Sequence, residues 1–205
     1  MNDAMSLGVH RCWKNQFVDM MGTLSKKNIY DESGKVTGRA PLRILDVAGG
    51  TGDISFRILE KAKKDSLESG LSVDITVSDI NPKMLEVGKK RAVEAGIFHE
   101  LQFTELNAED LSSIEDEHFD MYTIAFGIRN VTNREKALKE AHRVLGKGGR
   151  FMCLEFSQVE VPIFKDIYDF YSFNVIPQLG HFLANDKDSY QYLVESIKKF
   201  PKQAQ

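Results

Sequence analysis

One segment constrains this chain more than any other: Asp46-Val47-Ala48-Gly49-Gly50-Thr51-Gly52-Asp53. It follows the apolar pair Ile44-Leu45 and precedes a stretch, 53–63, whose apolar residues recur at helical spacing. Strand, glycine turn and helix in that order open a βα unit. Glycines let the backbone turn sharply and let a ligand touch it. The helix start offers free N–H groups to an anion. The alternation then repeats, with further strands expected at 73–78, 101–106, 121–126 and 151–156, after a first at 43–47. Helices are expected from 82 to about 95 and from 134 to 145, with Asn81 and Asn133 as N-caps and Pro82 at the first helical position. Gly146, Gly148 and Gly149 read as the end of that last helix. Strands separated by helices imply right-handed crossovers and a mostly parallel sheet. Upstream, 1–22 reads as one or two helices and 23–41 as a polar surface loop.

Bulk properties exclude several classes. A net charge of −3 argues against sequence-independent nucleic-acid binding, which needs a basic surplus. With 205 residues the chain fits one domain, and 42% hydrophobic residues suit an ordinary globular protein. Cys12 and Cys153 lie far apart, so a disulfide framework is not expected and a reducing compartment is the default. No apolar run approaches the roughly 20 residues of a membrane span, and the start of the sequence reads as neither a signal nor a transit segment. His99, His118, His142 and His181 show no ligand spacing, so no metal is expected.

Two ligand classes use such a turn. A dinucleotide site wants a third glycine three residues after the second, and Ser55 stands there. Asp46 ends the strand, where its charge suits a cationic amino acid or sulfonium better than a pyrophosphate. The expected cofactor is therefore S-adenosyl-L-methionine. Gly50, Thr51 and Gly52 would meet it at the turn, beside Asp46. Asp79, with Ile80 next to it, ends the second strand, where a carboxylate takes ribose hydroxyls. Asn107, Ala108 and Glu109 follow the third strand, where adenine edges are read.

Longer signatures add to this. Met1, Asn2, Met5, Ser6, His10 and Trp13 form one; Arg143, Val144, Leu145, Gly148, Gly149, Leu154, Glu155 and Ser157 form another. Between and after them lie SDINPKML, FGIRNVT and NDKDSYQYLVESIKKFP. On these residues the chain resembles the ubiquinone/menaquinone-biosynthesis C-methyltransferases, over nearly its whole length except 23–41. Gly146-Lys147 replaces the family's usual Lys-Pro, and Ala125 stands where many bacterial members have Ser. The family normally continues past this sequence with a last helix and antiparallel strands, which are expected to be missing here.

The resemblance implies a Rossmann-like class I fold that methylates a polyprenylated methoxy-benzoquinol in ubiquinone biosynthesis. Demethylmenaquinol is the bacterial alternative. LEFSQV and YSFNVIPQLG look more like the eukaryotic branch, implying the mitochondrial matrix at the inner membrane, or the cytoplasm if the chain is bacterial. Other quinone-biosynthesis enzymes, peripheral membrane contact and a homodimer are the implied partners. Arg129-Asn130 is implied at the active site. An arginine base is chemically awkward because the guanidinium stays protonated, so phenolate stabilisation suits Arg129 better. Glu155 reads as a base, an orienter or a salt-bridged structural acid, and His10 as a proton-transfer group on an N-terminal lid or a packed histidine. The expected layout is a lid at 1–22, a cofactor core at 42–157 and substrate-side helices at 158–205. The aromatics of 163–183 suit either a core helix or a prenyl channel. Rival readings are a nucleotide-dependent oxidoreductase, a non-catalytic scaffold, and a small-molecule O- or N-methyltransferase.

Overall fold

The computed structural model describes residues 8–66, 72–156, 192, 195–197 and 200–201. In chain order its elements are α1 (His10–Asp19), β1 (Lys27–Tyr30), β2 (Val36–Ala40), β3 (Leu42–Val47), α2 (Asp53–Asp65) and β4 (Val73–Asp79). There follow α3 (Pro82–Glu94), β5 (Leu101–Glu105), β6 (Phe119–Ala125), α4 (Arg134–Val144) and β7 (Leu145–Leu154). The last five strands pair in parallel, in the order β5-β4-β3-β6-β7.

Burial explains the order. Ile44, Leu45, Asp46 and Val47 of β3 are all buried, as a central strand covered on both faces requires. On α2, Ile54, Ser55, Ile58, Leu59 and Ala62 form one buried stripe. That stripe packs with Ile75 and Val77 of β4 and with Met21 and Leu24. Ile58 is wholly buried, which contributes about 1.5–3 kcal/mol of burial free energy. Asn81 and Asn133 cap α3 and α4 as expected, accepting from Lys83 N and Lys136 N. From β3 the chain steps outward to β4 and β5, then returns to the other flank of β3 with β6 and β7. The switch point therefore lies between the carboxyl ends of β3 and β6, where open α/β sheets bind ligands.

Two local expectations are corrected. The segment 23–41 is not an open loop, because β1 and β2 pair as an antiparallel hairpin, Lys27 opposite Ala40 and Ile29 opposite Gly38. Asp31 builds its turn: one carboxylate oxygen accepts from Ser33 N, Ser33 Oγ and Lys35 N, and these bonds hold the carboxyl below its usual range. Ile29, Tyr30 and Val36 are exposed, so no buried alternation marked the strands in the sequence. Second, the glycines after α4 do not precede a strand but lie inside one. β7 begins at Leu145, opposite Phe119, and the register jumps so that Arg150 faces Met121. Gly149 occupies that irregularity, where a Cβ would stand 2.7 Å from Gly146 O.

The chain divides into two compact units, Phe17–Leu154 and a smaller one formed by Met1–Gln16 with Glu155–Gln205. The division falls inside α1. In the smaller unit Trp13 meets Phe156 edge to face, centroids 6.0 Å apart. The start of the lid, most of the substrate-side segment, the aromatic stretch 163–183 and His181 lie outside the described residues.

Candidate cofactor site

The glycine turn is built from backbone. After β3, Ala48 adopts a left-handed φ of 52° and Gly50 one of 57°. Gly49 N donates to Ser78 O at 2.8 Å and Gly50 N to Asp79 Oδ2 at 2.9 Å, so the end of β4 holds the turn. Across the switch point, Phe126 leaves β6 with φ 57°. A Cβ on the next residue, Gly127, would stand 2.5 Å from Ala48 Cβ. The two loops thus touch with no room for a side chain between them. Two non-glycine residues in left-handed conformations, each costing about 1–3 kcal/mol, cluster here.

Asp79 is partly exposed, with Oδ1 accepting from Asn81 N at 2.8 Å and Oδ2 from Gly50 N. A carboxylate has about four lone-pair positions, so acceptor capacity remains for a ligand's hydroxyls. Ile80 beside it is 64% exposed and offers an apolar face at the rim. Asn107 is exposed, Ala108 is buried, and Asn107 Oδ1 accepts from Glu109 N at 3.0 Å. Arg129 and Asn130 lie in a 3-10 turn, Ile128–Asn130, directly after β6. Arg129 Nη1 donates to Phe126 O at 2.7 Å, and Asn130 is exposed.

Asp46 is fully buried beneath the turn, where Oδ2 accepts from Ser55 Oγ at 2.6 Å and Oδ1 from Thr123 Oγ1 at 2.8 Å. Burial pushes its carboxyl up to about 6, against the opposing effect of the two hydroxyls. It braces β3 to α2 and β6. Thr51 is also engaged, since its Oγ1 and O accept from Arg91 Nη1 at 2.7 and 3.0 Å. The Arg91 guanidinium lies over the Phe56 ring, 5.2 Å from its centroid. Gly88 lets α3 come this close, because a Cβ there would sit 3.3 Å from Thr51 C.

These features fit S-adenosylmethionine: bare glycine backbone at the turn for its amino-acid end, Asp79 for vicinal hydroxyls, an apolar rim at Ile80. The sequence profile of the ubiE/COQ5 methyltransferase family matches residues 1–205. The chain belongs to that family. It is an S-adenosylmethionine-dependent methyltransferase with a class I, Rossmann-like fold. It is 52% identical over 203 residues to the ubiquinone/menaquinone biosynthesis C-methyltransferase UbiE of Bartonella quintana, covering 99% of this chain and 70% of that one. It is 51% identical over 214 residues to the mitochondrial 2-methoxy-6-polyprenyl-1,4-benzoquinol methylase of Arabidopsis thaliana, covering 99% and 68%. The fold is similar to a SAM dependent methyltransferase from Aquifex aeolicus, with a TM-score of 0.50, 16% identity and 58% of each chain covered.

Within this methyltransferase the unit Phe17–Leu154 brings together the turn, Asp79, Ile80, Asn107, Ala108 and the Arg129-Asn130 segment. His10 and Glu155 belong to the smaller unit; His10 is buried, and Glu155 Oε1 accepts from Phe156 N at 2.9 Å. Sequence reasoning assigned Ser55, Thr123 and Arg91 no role at the site, and Glu109 only a place in the adenine-side segment. The spacing Met84, Gly88, Arg91 puts three residues on one helical face, a signal that α3 packs on the turn. A cavity of about 800 Å³ lined by residues including His142, Arg143 and Phe151 also touches the start of β7, at the opposite edge of the sheet. Arg143 there is already paired with Glu140 and Asp116.

Proposed function

We propose that this methyltransferase acts on a ring carbon of a polyprenylated methoxy-benzoquinol, with the turn, Asp79 and Arg129-Asn130 as its working residues. The observation that carries the reading is their convergence at one switch point, on two loops in direct contact. S-adenosylmethionine, when bound, supplies an activated methyl group. Asp79 would hold its ribose hydroxyls, the bare backbone at Gly50 and Gly52 would leave room for its amino-acid end, and Ile80 with Asn107 and Ala108 would meet its adenine.

A quinol carbon becomes nucleophilic when the neighbouring hydroxyl gives up its proton, which leaves charge on the oxygen. A fixed cation lowers the cost of that charge. Arg129 is anchored through one nitrogen to Phe126 O, which orients its planar fork. Arg129 therefore stabilises the phenolate and Asn130 orients the ring. His10 and Glu155 are read by substitution: turnover lost with S-adenosylhomocysteine binding kept marks the proton acceptor.

A prenylated substrate resides in lipid, so the same reading puts the enzyme at a membrane surface, the matrix side if mitochondrial, among other quinone-biosynthesis enzymes. No helix among the described residues is long and apolar enough to cross a membrane. Demethylmenaquinol is the second substrate to assay, because the bacterial relatives are as similar as the plant one.

Calorimetric titration with S-adenosylhomocysteine, with NADH as control, tests the cofactor assignment. Methyl transfer to a demethylated benzoquinol then tests the substrate. Tight binding without turnover on either quinol would leave a scaffold that keeps the fold and overturn the proposal.

A further inference from the structure

Glu109 stands between the two halves of the site. Its N–H donates to Asn107 Oδ1 at 3.0 Å, and Asp110 N donates to Asn107 O at 2.9 Å, so Asn107 to Asp110 form one compact turn. Its carboxylate reaches the other way. A single oxygen, Oε1, accepts from Thr132 N at 2.9 Å and Asn133 N at 3.0 Å. Asn133 is the N-cap of α4, where amides lack helical partners and the helix's positive end favours a carboxylate.

The far end of that turn is fixed independently. Leu111 N donates to Glu140 Oε2 at 2.7 Å and Arg143 Nη2 to Leu111 O at 2.8 Å, while Arg143 and Glu140 pair with each other. The turn after β5 is thus fastened to α4 at its second and third turns and, through Glu109, at its start. Residues 126–133 have matching constraints. Their first residue is tied to the sheet, Phe126 N donating to Leu154 O at 2.7 Å, and their last to Glu109. Arg129 and Asn130 lie between those two fixed points.

We infer that Glu109 is a positioning residue that couples the adenine-side turn to the loop carrying Arg129 and Asn130. The inference rests on the reading above, in which Asn107 and Ala108 meet the cofactor and Arg129 the substrate. A cofactor that orders the Asn107 turn then also orders the Glu109 carboxylate, and through two amides it sets the position of Arg129. Misplacing a catalytic group by about 1 Å costs on the order of a hundredfold in rate, so a partial loss of this strap is large enough to measure.

The test compares Glu109→Ala with Glu109→Gln, which keeps an acceptor oxygen in place. Three quantities are read: S-adenosylhomocysteine affinity, kcat against KM for S-adenosylmethionine, and amide hydrogen exchange at Thr132 and Asn133. Glu109→Ala should lose about tenfold or more in kcat, with a smaller change in KM and faster exchange at both amides. Glu109→Gln should recover most of the kcat and the protection. If Glu109→Ala melts earlier yet keeps wild-type kcat, Glu109 merely caps α4 and the inference falls. Equal losses in both variants also overturn it. Failure of the wild type to bind S-adenosylhomocysteine would remove the site reading, and the inference with it; exchange at the two amides would then show whether the strap itself exists.

Discussion

Asp46→Asn should stabilise this protein more at neutral pH than in acid. The Asp46 carboxyl is fully buried and pushed from 3.8 up to about 6, chiefly by loss of solvation. Between those values the folded chain holds a proton that the unfolded chain releases. Stability from this group therefore falls as pH rises from about 4 to about 6. Above that it levels off with a penalty of about 3 kcal/mol, from a shift of about two units at 1.36 kcal/mol each. Asparagine carries no charge and escapes the penalty. It still offers one oxygen to a hydroxyl, while Thr123 Oγ1 can turn toward Leu45 O, 3.5 Å away. Any cost of imperfect hydrogen bonding is the same at every pH, so it cancels when the variant-minus-wild-type difference is compared across pH. With the two values above, that difference should grow by about 2 kcal/mol between pH of about 4.5 and about 7.5. That corresponds to a relative Tm gain of about 4–8 °C. Urea denaturation of both proteins at both pH values measures it. A difference independent of pH, or one that shrinks toward neutral pH, would refute the account of Asp46 as a desolvated brace.

Three further outcomes are expected. Gly127→Ala drives a Cβ against Ala48, whose backbone is already left-handed, and should cost about 1–3 kcal/mol in a denaturant melt; an unchanged midpoint would mean the two loops are not in contact. Arg91→Met keeps an apolar stem over Phe56 but removes both bonds to Thr51, so S-adenosylhomocysteine affinity should weaken roughly tenfold by calorimetry. Arg129→Gln should lower kcat for methyl transfer by on the order of a hundredfold, Arg129→Lys by less, with cofactor affinity nearly unchanged in both; a loss of affinity instead of kcat would place Arg129 on the cofactor side.

The five parallel strands were legible because each has a local cause. Ile44-Leu45, the apolar-polar alternation of β4 and the apolar run of β6 lie between helical periodicities, and Asn81 and Asn133 mark helix starts by their own side chains. The hairpin was not legible, since Tyr30 and Val36 stay exposed and only Asp31's three bonds reveal the turn. The irregular start of β7 was hidden for a related reason: glycines that look like a helix stop also fit a bulge, and pairing with Phe119 and Met121 decides between them.

The site divides the same way. Sequence alone determined that a backbone-built turn follows the first strand of the sheet, that an acid ends the next strand, and that Arg129-Asn130 follows β6. Each is a matter of neighbours along the chain. Only the tertiary structure decided which way the side chains point. The Asp46 carboxylate is held by Ser55, 9 positions away, and Thr123, 77 positions away. Thr51 answers to Arg91, 40 positions on, and Thr132 and Asn133 to Glu109, 23 and 24 positions back. Such partners meet through the crossover topology of the sheet and the close packing of α3 on a glycine face, and residue spacing alone carries little trace of either.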